Sequence, residues 1–286
     1  MSPVFDHTVC RLGEGPFWHP ALRQFFWFDI DAKRLITRHY GQSNVWQFDK
    51  HVSAAGWIDH DRLLMASETG LYVFTLQTGT TELLVQLEAD KTATRSNDGR
   101  ADPWGGFWIG TMGKNAEPGL GAIYRYYEGT LTQLFAPITI PNAICFSPNR
   151  QFAYFTDTPN RQVMRQPLRA TDGMPEGEPE VWLDLRSEEL NPDGAVIDAD
   201  GNMWLAQWGA GRVACYDPDA RFVTAQTFPA RHTSCPAFGG EDLDMLFCTS
   251  AAIGVSQEQR LKEPTNGMTF AIKVNATGQA EHQVIL

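Results

Sequence analysis

Residues 141–156 read PNAICFSPNRQFAYFT, and this stretch contains the unit from which the chain is built. A polar entry leads into a short apolar segment, a turn follows at Ser147, and a second segment rich in aromatic residues comes next. Short apolar segments separated by Ser, Pro and Asn are typical of β-strands joined by turns. The stretch therefore predicts a pair of antiparallel strands.

The same unit occurs six times. The first segments begin near Gly13, Val52, Ser96, Pro141, Pro192 and Thr233. The second segments read FFWF at 25–28, LLMA at 63–66, FWIG at 107–110, AYFT at 153–156, MWLA at 203–206 and LFCT at 246–249. The turns fall at His19, Asp59, Asp102, Ser147, Asp198 and Gly239, so the steps between turns are 40, 43, 45, 51 and 41 residues.

Periods of this size are those of propeller blades, in which four antiparallel strands form each blade. The sequence therefore predicts an all-β fold, a six-bladed β-propeller that spans residues 1–286 as a single domain. A β-sandwich with evenly spaced strands is the alternative architecture. Helical signals are few, and residues 256–261 are expected to form a single turn of helix in a long loop of the last blade.

Composition and charge exclude several classes of partner. The chain has 286 residues, 43% of them hydrophobic, and a formal net charge of -11 without any basic run. Nucleic acid and anionic membranes are repelled by such a surface. No apolar run approaches the roughly 20 residues that a membrane span needs. We therefore expect a small-molecule partner, no nucleic acid, no membrane and no obligate protein partner.

The cysteines indicate a reducing environment. The chain has five, an odd number, and they are far apart and form no Cys-x-x-Cys pair. This pattern argues against a disulfide framework and against a zinc–thiolate site. No signal peptide is visible at the N-terminus. The expected location is the cytoplasm.

The repeat also predicts a site. The residue five places before each turn opens the first strand of its blade, the strand that lines the channel of a propeller. These residues are Glu14, Ala54, Asn97, Asn142, Asp193 and Ser234. Five of the six are polar, and equivalent positions in a closed propeller lie on a ring about one axis. An Asp or Asn beside Gly or Pro is commonly a turn residue, but the shared position in the repeat favours a functional ring.

Glu14, Asn142 and Asp193 are the predicted metal ligands, in the central channel. Two carboxylates and amide oxygen, without thiolate or imidazole, form a hard oxygen site suited to one divalent cation such as Ca²⁺, Mg²⁺ or Mn²⁺. Zn²⁺ is also compatible with oxygen ligands. Fewer than six protein oxygens leave positions open for water and substrate.

At these residues the chain resembles the sugar lactonase family of gluconolactonases and regucalcin (senescence marker protein), which are six-bladed propellers. The resemblance runs through nearly the whole chain. It rests on LGEGP at 12–16, RSNDGRADP at 95–103, GTM at 110–112, PN at 141–142, PDGAVID at 192–198 and TSCPAFGG at 233–240.

The resemblance implies that Glu14, Asn142 and Asp193 bind the metal. It implies further that Arg95 and Asn97 contact substrate, and that an acidic residue in the loop at 114–121, here Glu117, does so too. The implied reaction is metal-dependent hydrolysis of a sugar lactone to its aldonic acid, as in gluconolactonase.

Hydrolysis of a cyclic ester needs an activated water and a stabilised oxyanion. Asp193 is the predicted general base. Asp98 is the rival, although Asp98 followed by Gly99 also suits a tight turn. The alternative to a substrate contact for Arg95 is a salt bridge at the rim of the channel.

Two other functions are compatible with the same fold. One is a calcium-dependent phosphotriesterase or paraoxonase-like hydrolase, and the other is a non-enzymatic, metal-binding regulatory propeller. A Gly-x-Ser-x-Gly elbow, a His-x-x-x-His pair and a dinucleotide fingerprint are all absent from the sequence, so hydrolase-triad, zinc-protease and nucleotide chemistry are not supported.

Overall fold

Each predicted pair of segments forms an antiparallel pair of strands in the computed structural model, which describes residues 3–39 and 41–286. The described residues form six four-stranded sheets. This confirms the predicted all-β, six-bladed architecture.

The strands of the first three sheets are β2 (Gly13–His19), β3 (Gln24–Asp29), β4 (Arg34–His39) and β5 (Gln42–Gln47), then β6 (Val52–Trp57), β7 (Arg62–Ser67), β8 (Gly70–Thr75) and β9 (Thr81–Gln86), then β10 (Thr94–Ala101), β11 (Phe107–Gly113), β12 (Gly121–Tyr127) and β13 (Thr130–Ile138). Those of the fourth and fifth are β14 (Pro141–Phe146), β15 (Phe152–Asp157), β16 (Gln162–Pro167) and β17 (Glu180–Asp184), then β18 (Asn191–Ile197), β19 (Met203–Trp208), β20 (Arg212–Tyr216) and β21 (Phe222–Thr227).

The sixth sheet joins the two ends of the chain. It contains β22 (Thr233–Gly239), β23 (Met245–Ser250) and β24 (Thr269–Lys273), and its outer strand is β1 (Val4–Asp6) from the N-terminal end. β1 pairs antiparallel with β24. Because the hydrogen bonds of this pair hold the last blade to the start of the chain, they close the ring.

The first strands of the six sheets surround the axis. Each of β2, β6, β10, β14, β18 and β22 contacts the first strand of both neighbouring sheets. Apolar packing lies between the sheets: the described residues form six buried clusters, one at each interface between neighbouring blades. Since burial of apolar surface is the main favourable term in folding, each blade depends on its two neighbours for stability.

The turns between the first and second strands of two blades are stabilised by the side chains at the predicted turn positions. The carboxylate of Asp102 accepts hydrogen bonds from the backbone N–H groups of Trp104 and Gly106, and Asp198 does the same for Asp200 and Asn202. Side-chain acceptors of this kind replace the missing backbone partners of a tight turn.

The predicted helical turn is α1 (Gln257–Lys262), between β23 and β24. The hydroxyl of Ser256 accepts a hydrogen bond from the backbone of Gln259, whose side chain in turn accepts one from the backbone of Ser256. This reciprocal pair is a capping box, and it satisfies donors that a short helix otherwise leaves free.

The C-terminal segment, residues 275–286, crosses the channel at the ends of the first strands. Gln279 donates to the backbone oxygens of Phe146 and Ile197. Glu281 forms an ion pair with the partly buried Arg100, and Val284 is buried. The segment therefore covers the mouth of the channel that lies opposite the starts of these strands.

All five cysteines are buried and free. None of the helices in the described part of the chain has the length and hydrophobicity of a membrane-spanning segment.

Candidate functional site

Each first strand has a break in register at the same place. The break lies between residues 14 and 17 in β2, 52 and 54 in β6, 96 and 99 in β10, 142 and 145 in β14, 192 and 195 in β18, and 233 and 236 in β22. A β-bulge adds a residue to one strand and redirects side chains, and it is often found next to active sites. The predicted ring residues all lie at or next to these breaks.

The backbone after two of the predicted ligands has positive φ. Gly15 follows Glu14 with φ 53°, and a Cβ atom there would lie 2.1 Å from the backbone oxygen of Ser53. Ala143 follows Asn142 with φ 54°. Such a conformation is costly for a residue with a side chain. The strained residue Ala143 lies next to the predicted ligand Asn142. Strained backbone of this kind occurs mostly at functional sites.

A cavity of about 490 Å³ opens at the starts of the first strands. Its lining combines the predicted site residues with an apolar rim and contains Leu12, Glu14, Arg95, Asn97, Met112, Lys114, Asn115, Ala116, Ile140, Asn142, Thr158, Asp193, Trp208 and Ile253. The structure thus brings together five of the six predicted site residues, from β2, β10, β14 and β18.

A chain of hydrogen bonds orders the polar wall of this cavity. The guanidinium of Arg95 donates to Oδ1 of Asn97 at 2.8 Å, and Nδ2 of Asn97 donates to Oδ1 of Asn142 at 3.0 Å. Nδ2 of Asn142 donates to the hydroxyl of Thr158 at 2.9 Å, which donates to the backbone oxygen of Pro192 at 2.8 Å. The amide orientation of Asn142 is therefore fixed by partners on both of its ends.

The carboxylates of Glu14 and Asp193 are buried, and neither forms an ion pair with a described residue. Burial, and then the negative charge of Asp98, raise the pKa of Glu14 to about 8, against the lowering effects of the Gly15 N–H group and of Arg95. Burial and the charges of Glu14 and Asp98 raise the pKa of Asp193 well above its usual range. The protein therefore compensates the negative charge of these two carboxylates only in part.

The turn interpretation of Asp98 and Gly99 is wrong, because both lie inside β10. Gly99 pairs with Ile109 of β11 across the sheet. Oδ2 of Asp98 accepts a hydrogen bond from the backbone N–H of Ile144 at 2.8 Å, which connects the third blade to the bulge of the fourth. Asp98 is not among the residues that line the cavity, so its carboxylate holds the backbone beside Asn142.

The structure places Glu117 outside the cavity lining. Its carboxylate accepts hydrogen bonds from the backbone N–H of Asn115 at 3.1 Å and from Nδ2 of Asn115 at 3.0 Å. Since Asn115 does line the cavity, Glu117 orders the loop that carries it. A direct contact of Glu117 with substrate stays a prediction from the resemblance.

Among the lining residues that were not predicted from the sequence, three have side-chain contacts that shape the cavity. Lys114 reaches the cavity with its ammonium paired to Glu68 at 2.5 Å. Trp208 ends β19, and its ring stacks on that of His232 with the centroids 4.3 Å apart. Thr158 supports the amide of Asn142. A signal for Trp208 was available, because it follows the aromatic-containing second segment of the fifth unit, MWLA at 203–206, by two residues.

The donor set fits a hard divalent cation. Among the described residues no three His, Cys, Asp or Glu side chains come together to hold a metal ion. The cavity instead combines two buried carboxylates with an amide oxygen held in place by hydrogen bonds. A dication would neutralise the two carboxylates, which no basic side chain pairs, and oxygen donors are those that Ca²⁺, Mg²⁺ and Mn²⁺ prefer.

Fold and site together define a six-bladed propeller with a carboxylate–amide pocket at one end of its channel. Residues 12–252 match the model of the SMP-30/gluconolactonase/LRE-like region, and the chain belongs to this family. This confirms the resemblance found in the sequence.

Three similar proteins cover nearly the whole chain. The crystal structure of a calcium-binding protein, regucalcin, from Agrobacterium tumefaciens str. C58 superposes with a TM-score of 0.98 at 40% identity, covering 100% of this chain and 98% of that one. A 6-deoxy-6-sulfogluconolactonase of Pseudomonas putida is 33% identical and an L-arabinolactonase of Azospirillum brasilense is 32% identical. The match to the sulfogluconolactonase covers 94% of each chain. The match to the arabinolactonase covers 98% of this chain and 94% of the other.

Proposed function

We propose that this protein hydrolyses a sugar lactone to the corresponding aldonic acid and that the reaction depends on one divalent cation. The proposal rests on one observation: the three predicted metal ligands and the two predicted substrate contacts line the same cavity. These residues are Glu14, Asn142, Asp193, Arg95 and Asn97. Membership of the family supports it, as do the names of two relatives, which describe lactonases of sugar acids. The expected site of action is a reducing cytoplasm, in which the five free cysteines stay as thiols.

Glu14, Asn142 and Asp193 would hold the cation through two carboxylates and the amide oxygen. A bound dication supplies Lewis acidity for the carbonyl oxygen of the ester and stabilises the negative charge that develops there. Ca²⁺, Mg²⁺, Mn²⁺ and Zn²⁺ are all candidates.

Asn97 and Arg95 would orient the substrate. Both are buried side chains of β10, so a rigid strand positions them. The amide nitrogen of Asn97 already donates to the backbone oxygen of Pro141 and to Oδ1 of Asn142, so the donors offered to substrate are those of Arg95. The hydrogen bonds that join Arg95 to Asn97 and Asn97 to Asn142 fix the spacing between the substrate contacts and the ligands. Positioning of this kind reduces the entropic part of the barrier.

Asp193 would act as general base. In the reaction the oxygen of water forms a bond with the carbonyl carbon, the ring ester bond breaks, and the ring oxygen takes up a proton to become a hydroxyl. Asp193 accepts the proton that the attacking water loses. Asp98 is less suited to this step, because it does not line the cavity and its Oδ2 already accepts from the N–H of Ile144.

The test compares Asp193→Asn with Asp200→Asn. Asp200, like Asp193, stands directly before a glycine, but it is exposed in a surface turn. After removal of metal with chelator, each protein is assayed on a panel of aldonolactones with Ca²⁺, Mg²⁺, Mn²⁺ or Zn²⁺ added back. We expect Asp193→Asn to lose at least about 10³-fold in kcat, as for loss of a base that also holds the metal, and Asp200→Asn to match the wild type.

The same panel separates the rival functions. Cleavage of phosphotriesters in preference to lactones would indicate paraoxonase-like chemistry. Tight metal binding by calorimetry without turnover of any ester would indicate the regulatory propeller. Lactone hydrolysis that persists in chelator would refute the metal dependence.

A further inference from the structure

Trp208 contributes an aromatic ring to one side of the cavity. It is the last residue of β19, it is partly buried, and it lines the cavity together with Asp193 of the same blade. The ring of His232 covers one face of the indole, with the centroids 4.3 Å apart and an angle of 8° between the planes. Because His232 covers that face, a ligand in the cavity contacts the indole from the other side.

His232 is itself held in place. Its backbone oxygen accepts a hydrogen bond from the N–H of Ala251 at 2.9 Å, and its Nδ1 lies 3.0 Å from the backbone oxygen of Ile253. Since a carbonyl oxygen only accepts, Nδ1 carries the proton and donates it to this bond. The two contacts fix the imidazole to the segment that follows β23, and the stacked imidazole in turn favours one orientation of the indole.

Two aliphatic side chains extend this surface. Ile253 lines the cavity and is 37% exposed, and Leu12 lines the cavity from the residue before β2. Their backbones are neighbours, because the N–H of Ile253 donates to the backbone oxygen of Arg11 at 2.9 Å. Trp208, Ile253 and Leu12 together form an apolar wall of the cavity.

The apolar wall lies across the cavity from the donors of the third blade. Its three residues come from the fifth, sixth and first blades, which are consecutive because β22 of the sixth blade contacts both β18 and β2. In a ring of six, the third blade lies opposite the sixth, and β10 of the third blade carries Arg95. A ligand in the cavity therefore meets hydrogen-bond donors on one side and carbon on the other.

A cyclic sugar derivative matches such a cavity. Its hydroxyl groups lie largely around the edge of the ring, and C–H bonds cover much of the ring faces. C–H bonds pack on an aromatic ring without losing hydrogen bonds, whereas a hydroxyl group that is pressed against an apolar surface loses its water partners. The apolar wall therefore favours a ring that turns C–H bonds towards it.

We infer that the apolar wall is a specificity-determining surface of the site: Trp208 packs on the C–H face of a cyclic lactone, and His232 is the positioning residue that orients Trp208. The inference rests on the proposed function and adds how the lactone ring is held. The competing contact is a hydrogen bond to substrate, because Nε1 of Trp208 donates to no described residue.

The first test separates packing from hydrogen bonding at Trp208. Trp208→Phe keeps a flat apolar ring and removes the N–H group, whereas Trp208→Gln removes the ring and keeps an N–H donor. On the most active lactone of the aldonolactone panel, we expect Trp208→Gln to raise KM about tenfold with kcat within about threefold of the wild type. Trp208→Phe should keep KM within about threefold. A larger rise of KM in Trp208→Phe than in Trp208→Gln would overturn the inference in favour of the hydrogen bond.

The control is Trp182→Gln, which changes a partly buried Trp that lines a separate groove between the fourth and fifth blades. It should leave KM and kcat as in the wild type. An equal rise of KM in Trp182→Gln and Trp208→Gln would mean that loss of a Trp acts through the fold, and this result would also overturn the inference.

The second test concerns the positioning role of His232, and it leaves Trp208 in the chain. His232→Ala removes the ring that covers the indole, and His232→Phe restores a ring without the hydrogen bond to Ile253. We expect KM to rise about fivefold in His232→Ala with kcat little changed, and to return to within about twofold of the wild type in His232→Phe. An unchanged KM in His232→Ala, or the same rise in both variants, would refute the positioning role of the stacked ring.

A binding measurement that needs no turnover accompanies the kinetics. Calorimetry with D-glucono-1,5-lactam, a ring analogue in which an amide replaces the ester, is carried out on the metal-loaded proteins. The Kd of Trp208→Phe should lie within about threefold of the wild type, and that of Trp208→Gln should be about tenfold higher. This pattern without hydrolysis of any lactone would support the apolar wall and refute the proposed function. Lactone hydrolysis with a KM that Trp208→Gln leaves unchanged would overturn the inference alone.

Discussion

The substitution Glu14→Gln distinguishes the contribution of the carboxylate to metal binding from its effect on the free energy of unfolding. In the metal-free protein Glu14 is buried beside Asp193 without an ion-pair partner among the described residues. Gln has nearly the same size, and its amide oxygen can still accept the hydrogen bond that Gly15 donates to Glu14 at 3.0 Å. The change therefore removes a charge and leaves the packing in place.

The raised pKa of Glu14 decides how the free energy of unfolding changes with pH. Burial, and then the charge of Asp98, raise the pKa of Glu14 from 4.5 to about 8. The folded protein therefore binds more protons than the unfolded chain between these values, and the free energy of unfolding falls as the pH rises through this window.

The size of the stability difference between Glu14→Gln and the wild type follows from the same two pKa values. At about 1.4 kcal/mol for each pKa unit, full ionisation of Glu14 costs on the order of 5 kcal/mol. Local rearrangement reduces this, so we expect metal-free Glu14→Gln to be more stable than the wild type by about 2–4 kcal/mol at pH 8.5. Near pH 4.5 the two proteins should differ by less than about 1 kcal/mol, because Glu14 is then protonated in the folded state.

Urea unfolding in chelator at both pH values measures the difference, with the exposed Glu241→Gln as control. Added metal should reverse the order at pH 8.5, because only the wild type keeps both carboxylate ligands and binding stabilises the folded state. A metal-free Glu14→Gln protein that is less stable than the wild type at pH 8.5 would refute this account of the site.

Three further predictions concern groups around the site and the channel. Thr158→Val removes the acceptor for the amide of Asn142, and should weaken metal binding by about 10–100-fold in a calorimetric titration while the circular dichroism spectrum stays unchanged. Glu281→Gln leaves the partly buried guanidinium of Arg100 without its carboxylate, and should lower the free energy of unfolding by about 1–3 kcal/mol in urea; no measurable loss would mean that the pair is solvated. Asp98→Asn keeps an oxygen for its backbone contact and should retain kcat within about threefold; a loss above about 100-fold would make Asp98 the base.

The blades could be predicted because their signals are local. Each strand pair can be recognised within about 15 residues from an apolar segment, a turn and an aromatic segment. The spacing at which these units repeat indicates the fold. The closure of the ring had no such signal. β1 (Val4–Asp6) has three residues, and its partner β24 lies at the other end of the chain, so their pairing depends on the completed ring.

The site was predictable to the extent that it repeats. Glu14, Asn142 and Asp193 share a position in the repeat, and the structure explains the shared position by a break in register at that point in each of the three strands that carry them. The turn interpretation of Asp98 failed because Asp-Gly suits a tight turn and a bulged strand equally well. Lys114 was missed because the direction of a loop side chain depends on the loop, which Glu117 holds in place.

The two ends of the channel have different roles, and the C-terminal segment creates the difference. Backbone and side-chain hydrogen bonds fix residues 275–286 to the ends of the first strands, through Ile58, Phe146 and Ile197 among others. The predicted ligands lie at the starts of the same strands. Because the far mouth is covered, a substrate reaches the carboxylates through the cavity that Lys114 and Trp208 line.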